Sequence, residues 1–459
     1  MSRLPTADER DGVLILVENL PVPFDRRVWQ EACSLRDAGY SVTVICPRTP
    51  AYPSIDEDVE GVRILRYRPW IEARTPAGYA IEYGIALLSM QRLAYRVMRN
   101  RTTKVIAACN PPDLLFLVAL PWVLRRRAVF VFDHHDVGPE LMMAKGQDPK
   151  GLLVSVARWL ERLTFRFAAV SIATNDSYRR IAIDRGGMAP EDVFVVRSGP
   201  KRPQFAAARP DRTVKRGYRH LVAYVGVMGV QEGIDYLLEA ARILVHEQGR
   251  SDVGFVLAGD GPERKRLLRQ RDKLRLDDVV EFPGRIADRE LLTLLATADV
   301  CVNPDEYNAM NDISTMNKVL EYMSVGKPIV QFDVTEGAVS AGDASLYAAP
   351  NDARALATEI ARLLDDPIRR ERMGALGRDR IESTLSWERQ TPALLAAYER
   401  ALSRLPSQSS RPSNTCAATV ARLRRSRAVQ QGRLSVARGV SQREEVDRMS
   451  VESAPRVGK

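Results

Sequence analysis

Short apolar runs alternate along most of the chain with longer stretches whose apolar residues recur every three or four positions. The runs lack a polar face, as parallel strands buried on both sides do, and the stretches between them carry one apolar stripe, as covering helices do. The pattern predicts a first set of strands at 13–18, 42–46, 62–67, 105–108, 129–133, 170–174 and 193–197. A second set falls at 221–226, 254–258, 279–282, 300–303 and 329–332. A helix is expected after the first strand, with Trp29, Ala32, Cys33 and Leu35 on one face and Gly39 stopping it. Further helices are expected at about 232–247, 262–273, 287–297, 315–325 and 354–365, and a last one at 387–405. The fold class is α/β: two doubly wound, Rossmann-like domains facing across a cleft. The expected divisions are a domain at 1–200, a Pro-, Arg- and Ala-rich linker at 201–217, a domain at 218–385, a terminal helix at 386–405 and a tail at 406–459.

Charge changes the picture mainly at the tail. Residues 405–459 hold 11 Lys/Arg and 4 Asp/Glu, so +7 of the net +10 lies there, without one aromatic residue. Such a segment reads as disordered and basic, and it leaves the body near neutrality, which argues against a nucleic-acid partner. No apolar run approaches the ~20 residues that span a bilayer, and the N-terminus has no apolar leader. Five scattered cysteines (33, 46, 109, 301, 416) form no metal spacing. A cytoplasmic protein without a metal or other cofactor is expected. The tail reads either as a solubilising extension or as a basic arm that visits anionic lipid, and Arg125, Arg126 and Arg127, which follow the apolar run 114–124, would suit a face resting on a bilayer. A core helix with cations at its C-terminal end fits that run equally.

Candidate chemistry gathers at strand ends. After strand 300–303 comes Asn311-Asp-Ile-Ser314-Thr315-Met-Asn317-Lys318-Val-Leu-Glu321. Ser314 and Thr315 are good helix-capping types, and a helix tip there attracts an anion, with Lys318 just behind and Glu321 able to grip sugar hydroxyls. Gly226 and Gly229 follow strand 221–226, and Gly259-Asp260 follows strand 254–258; either turn could admit a phosphate or be only a tight connection. Arg285-Ile286 follows strand 279–282, where backbone could read a base edge. His134-His135-Asp136 ends strand 129–133, as a polar site near neutral pKa or a buried structural pair. In the first strand–helix loop, Phe24 precedes Asp25, the expected cap. Arg26 and Arg27 lie in the first turn, where the helix dipole disfavours cations, so they read either as meeting an anionic partner or as solvated arginines.

Together these residues make the chain resemble the retaining family-4 glycosyltransferases of the GT-B fold. The resemblance rests on Asp25-Arg-Arg-Val-Trp-Gln-Glu-Ala32, Phe132-Asp-His-His-Asp136 with Pro139-Glu140-Leu141, Ala258-Gly-Asp-Gly-Pro262 and Lys318-Val-Leu-Glu-Tyr-Met-Ser-Val-Gly-Lys-Pro328. It implies Glu321 on the nucleotide ribose, His135 beside the donor sugar, and the Gly226–Gly229 turn, Ser314, Thr315 and Asn317 near a diphosphate. It implies Phe24, Arg26, Arg27, His134 and Asp136 on the acceptor side. The partners implied are a nucleoside-diphosphate sugar and a glycan or lipid-linked acceptor, in exopolysaccharide or lipid-linked glycan assembly. Three departures stand out. The family's first motif glutamate falls at Ile313, its phosphate-binding cations fall at Val227 and Glu232, and its Gly-Gly loop is replaced by Pro21 and Pro23. A nucleotide-sugar 2-epimerase of the same fold and a non-catalytic binding scaffold are the alternatives.

Overall fold

The computed structural model describes residues 11–69, 76–201, 205 and 208–405. The first sheet has eight strands: β1 (Gly12–Leu16), β2 (Ser41–Pro47), β3 (Asp56–Val59), β4 (Val62–Tyr67), β5 (Thr103–Cys109), β6 (Val129–His134), β7 (Val170–Ala173) and β8 (Val193–Val195). Their order is β3-β4-β2-β1-β5-β6-β7-β8, parallel except for the β3–β4 pair at the edge. The second sheet has six parallel strands, β9 (His220–Val225), β10 (Val253–Ala258), β11 (Val280–Gly284), β12 (Val300–Asn303), β13 (Ile329–Phe332) and β14 (Ser345–Ala348). Their order is β11-β10-β9-β12-β13-β14. Strand order therefore reverses at β1/β5 in one sheet and at β9/β12 in the other. Ligands of doubly wound sheets sit beyond the strand ends at such points.

Alternation along each strand sends side chains to both faces. In β1, Val13 and Ile15 join a core under helices Arg26–Asp37 and Trp387–Leu402. Leu14 and Leu16 join the opposite core, under helices Pro76–Met98, Phe116–Leu124 and Leu152–Phe167. Helix Trp387–Leu402 thus follows the second domain in sequence but completes the core of the first: Leu394, Ala397 and Tyr398 are fully buried there, and Trp387 Nε1 donates to Ser34 Oγ at 2.9 Å.

Two strands do not follow from the apolar pattern. β3 reads Asp-Glu-Asp-Val and lies half-exposed at an edge, where acidic residues are tolerated and no apolar run is needed. β14 is a short edge strand covered by helix Ala353–Asp365. The run 114–124 is a core helix with Phe116, Val118, Ala119 and Trp122 buried. Arg125 donates to the Pro121 carbonyl at 2.8 Å and Arg127 lies over the Trp122 ring, so two of the three arginines finish that helix. Among the described residues no helix is long and apolar enough to cross a membrane. The tail after Leu405 lies outside the described residues.

Candidate active site

The two sheets present their carboxyl ends to one cleft, and the loop after β1 bridges it. Asp25 caps helix Arg26–Asp37 as its sequence suggests, accepting from Val28 N at 3.1 Å. The two arginines that follow go to opposite sides. Arg26, half-exposed, donates to Glu321 at 3.2 Å and to Asp288 at 2.9 Å across the cleft. Arg27 turns inward toward the end of β6, where its Nε lies 2.9 Å from His135 Nε2. Adjacent residues thereby link to His135 and Glu321, which come from different domains. Arg285 completes the bridge by lying over the Phe24 ring at 4.9 Å.

Arg27 is a correction to the acceptor-side expectation. Its anionic partner exists but is internal: NH2 sits 3.1 Å from both Asp133 and Glu31, and NH1 donates to the Val196 carbonyl at 2.8 Å. All three side chains are buried. Burial pushes Glu31 well above the ordinary carboxylate range, whereas Arg27 and His135 overcome burial at Asp133 and hold it well below. The pair thus carries one proton on Glu31 and one negative charge on Asp133, facing the guanidinium. Asp133 accepts from His135 Nε2 at 2.6 Å and fixes the ring. The backbone around it is held by Asn110 at the end of β5, whose Oδ1 accepts from the N–H groups of His135 and Asp136 at 2.7 and 3.1 Å. Asn110 was not singled out from sequence, although its place at a strand's carboxyl end at the β1/β5 switch point is the available signal. Asp136 is raised above its ordinary value by burial.

His134 is a second correction. It continues the alternation Phe130, Phe132, His134 on the apolar side of β6, packs 5.0–5.2 Å from the Phe132, Phe165 and Tyr178 rings, and is fully buried. Burial drops its pKa to about 3, so it stays neutral, away from any acceptor. That alternation was visible in the sequence. Cys109, Asp133 and His135 offer a compact set of potential metal ligands. A cation does not fit there, because Arg27 already places its charge against two of them and burial keeps the Cys109 thiol protonated.

On the second sheet, helix Asn317–Ser324 begins one residue later than the capping types suggest. Its cap is Met316, which offers no side-chain bond. Ser314 and Thr315 are engaged elsewhere: Ser314 Oγ lies 2.9 Å from Tyr178 OH, and Thr315 Oγ1 accepts from Asn175 Nδ2 at 3.1 Å and Arg197 NH1 at 3.4 Å. With Ser177 and Arg197 both bonded to Glu336, these contacts fasten the domains on the far side of the cleft. The hydroxyls are therefore structural, and only backbone N–H groups at the exposed Asn317 tip point toward an anion. Asp312 also has a structural task, accepting from Thr335 N at 2.8 Å.

Lys318 is the main electrostatic finding. Its ammonium lies 2.5 Å from Glu232, 2.7 Å from Asp305 and 4.9 Å from the Tyr224 ring centroid. Two carboxylates thus oppose one cation. Burial, with Glu232 nearby, raises Asp305 to about 7 despite the lysine. Asp305 escaped sequence reasoning although it stands at the carboxyl end of β12. Glu321 is raised by burial, with Arg26 opposing the rise.

The glycine turns pack against each other. A Cβ on Gly259 would lie 1.8 Å from the Gly226 carbonyl, and one on Gly261 2.6 Å from that of Met228. Gly226 and Met228 donate their N–H groups to Ala258 and Asp260, and Asp260 Oδ1 accepts from Gly261 N. Those of Val227 and Gly229 have no partner among the described residues, which leaves two free donors in this turn. Ile286 is partly buried and packs against the core that holds Val225 and Ala258.

Comparison with known proteins agrees with this fold. Residues 25–199 match the family model described as glycosyl transferase 4-like domain, and residues 219–366 match glycosyl transferases group 1. The chain is 26% identical over 394 residues to the glycogen synthase of Mycobacterium tuberculosis strain H37Rv, covering 81% of this chain and 90% of that one. It is 26% identical over 304 residues to the alpha-D-kanosaminyltransferase of Streptomyces kanamyceticus, covering 63% and 75%. Among solved structures, sucrose-phosphate synthase from Thermosynechococcus elongatus superposes with a TM-score of 0.69 at 19% identity, over 86% of this chain and all of that one. Anabaena HepE in complex with UDP-glucose superposes at 0.64 and 16%, over 84% and 99%. Both share the fold.

Proposed function

Because the chain belongs to the family-4 glycosyltransferases of the GT-B fold, we propose that it moves a sugar from a nucleoside-diphosphate donor to a hydroxyl acceptor, with retention of configuration and without a metal ion. The acceptor is a glycan or a lipid-linked glycan, met at a membrane surface. One observation supports this above the rest: Arg26 and Arg27, neighbours in the chain, touch Glu321 of one domain and His135 of the other. A donor lying between them would have its ribose hydroxyls at the Glu321 carboxylate and its sugar beside His135. Cleaving the anomeric bond leaves negative charge on the diphosphate. The N–H groups of Val227, Gly229 and the helix tip at Asn317 are the groups to receive it, since Lys318 is already balanced by two carboxylates.

Glu321→Ala is expected to lower kcat/KM for the donor at least tenfold, about 1.4 kcal/mol, in an assay of nucleoside-diphosphate release. Near-normal kinetics would remove the ribose assignment. Activity should also survive a chelator, because Arg27 fills the compact set at Cys109, Asp133 and His135. A strict need for added Mg²⁺ or Mn²⁺ would contradict the metal-free mechanism.

A further inference from the structure

The three helices that cover the outer face of the first sheet carry an unusual surface. In helix Pro76–Met98, Ala86, Met90, Ala94 and Met98 face the sheet, which is the stripe a covering helix requires. The same helix exposes Ile81, Leu88 and Tyr95, spaced seven residues apart and so on one side, with Leu88 74% exposed. Helix Phe116–Leu124 exposes Leu117 and Leu124 at the same spacing. Helix Leu152–Phe167 buries Val154, Ala157, Thr164 and Phe165 yet leaves Leu152 78% and Trp159 59% exposed, with Leu153 and Val156 beside them. Isolated exposed leucines are ordinary, but a second apolar stripe on each of three neighbouring helices is a docking surface.

Its rim is mainly basic, with Asp148 the exposed acid ahead of the third helix. Arg92, Arg96 and Arg99 run along and past the first helix, Arg125 and Arg126 end the second, and Arg162 and Arg166 flank the third; all are exposed. The acid within the third helix, Glu161, is buried against Arg185 at 2.6 Å and offers no counter-charge to the surface. A second copy of the chain would bring the same positive rim against itself. The chain's own segment beyond Leu405 carries +7 and would be repelled in the same way. An anionic partner with an apolar interior meets both demands.

We infer that the outer face of these three helices, carrying Leu88, Leu152 and Trp159, docks on an anionic lipid bilayer. Apolar side chains, the Trp among them, enter the interface while the arginines stay at the headgroups. The inference deepens the membrane part of the proposed function and rests on it, but it is independent of the donor chemistry. The placement also suits the acceptor. Helix Pro76–Met98 starts at the carboxyl edge of the sheet, and its Glu82 and Ile85 line a cavity of about 200 Å³ with Glu18, Pro47 and Tyr67. A docked bilayer therefore lies along the helix that walls this cavity, and a lipid-linked saccharide has a short path from the membrane to the cleft.

The test is sedimentation of the full-length chain with vesicles of phosphatidylcholine alone or mixed equally with phosphatidylglycerol, at low and high salt. Binding is expected to the mixed vesicles, weakened by salt, and reduced at least tenfold in the double variant Leu152→Glu, Trp159→Glu. Leu88→Glu, on a different helix, should reduce it several-fold. The thermal shift produced by UDP or GDP reports folding and the donor site in every variant. Its loss in wild type would count against the donor reading, not against this face. Undiminished vesicle binding in both variants would assign the attraction to the tail and overturn the inference. So would absence of binding to mixed vesicles by the wild type, or self-association abolished by the same substitutions in a chain that ignores vesicles.

Discussion

Lys318→Ala is expected to cost about 3–5 kcal/mol of folding stability, the range for removing one partner of a buried ion pair. A lysine whose only task was to meet a substrate phosphate on an open surface could be truncated with little loss. Here the ammonium is enclosed with Glu232 and Asp305 at 2.5 and 2.7 Å, and Asp305 is only 2% exposed. Without it two carboxylates remain buried side by side with no counter-charge. The pH dependence has a definite sign. Asp305 binds a proton in the folded state up to about 7, against an ordinary 3.8 when unfolded. Its contribution to stability is therefore fully present below about pH 4 and is lost as pH rises through 7. Loss of the lysine raises that folded pKa further, so the deficit of Lys318→Ala should be larger at pH 8 than at pH 6 in denaturant titrations. Combining it with Glu232→Gln and Asp305→Asn should recover most of the loss. A deficit below about 1 kcal/mol, the scale of exposed pairs, would mean that water reaches the cluster.

Arg27→Met should destabilise by a similar amount, about 3–5 kcal/mol. It keeps the buried hydrocarbon but leaves Asp133 ionised with no guanidinium and strips a donor from the Val196 carbonyl and from Ser198. Asp133 also orients His135, so activity should fall in the fraction that folds, with kcat more affected than KM. Adding Asp133→Asn should restore stability without restoring activity. Recovery of both would show that the histidine needs no carboxylate partner.

The comparison of these two sites explains what the sequence could and could not announce. Strands such as β1 and β10 were legible because they are buried on both faces and have no polar residue to blur them. The segment around Lys318 and Glu321 was legible because it sits at a strand's carboxyl end before a short helix. What Lys318 faces was not, since Glu232 lies 86 residues away and Asp305 is 13 away around a loop of irregular backbone. Arg26 meets Glu321 across 295 residues, a pairing that only the assembled cleft creates. Helical position suggested anionic partners for Arg26 and Arg27, but not that the chain's own carboxylates would supply them for both. His134 was misassigned for a different reason: strand periodicity gave its direction, and its adjacency to His135 was weighed more heavily. Ser314 and Thr315 were chemically suited to cap a helix, yet contacts from the other domain claimed both.

The return of helix Trp387–Leu402 to the first domain bears on synthesis. Val13 and Ile15 leave the ribosome long before Leu394, Ala397 and Tyr398, which close the core around them. While the second domain is being made, the first has an uncovered apolar flank that no local segment can fill. Its final consolidation therefore waits for the second domain to be made, and a nascent chain stalled before Trp387 is a natural client for a chaperone that binds exposed apolar surface.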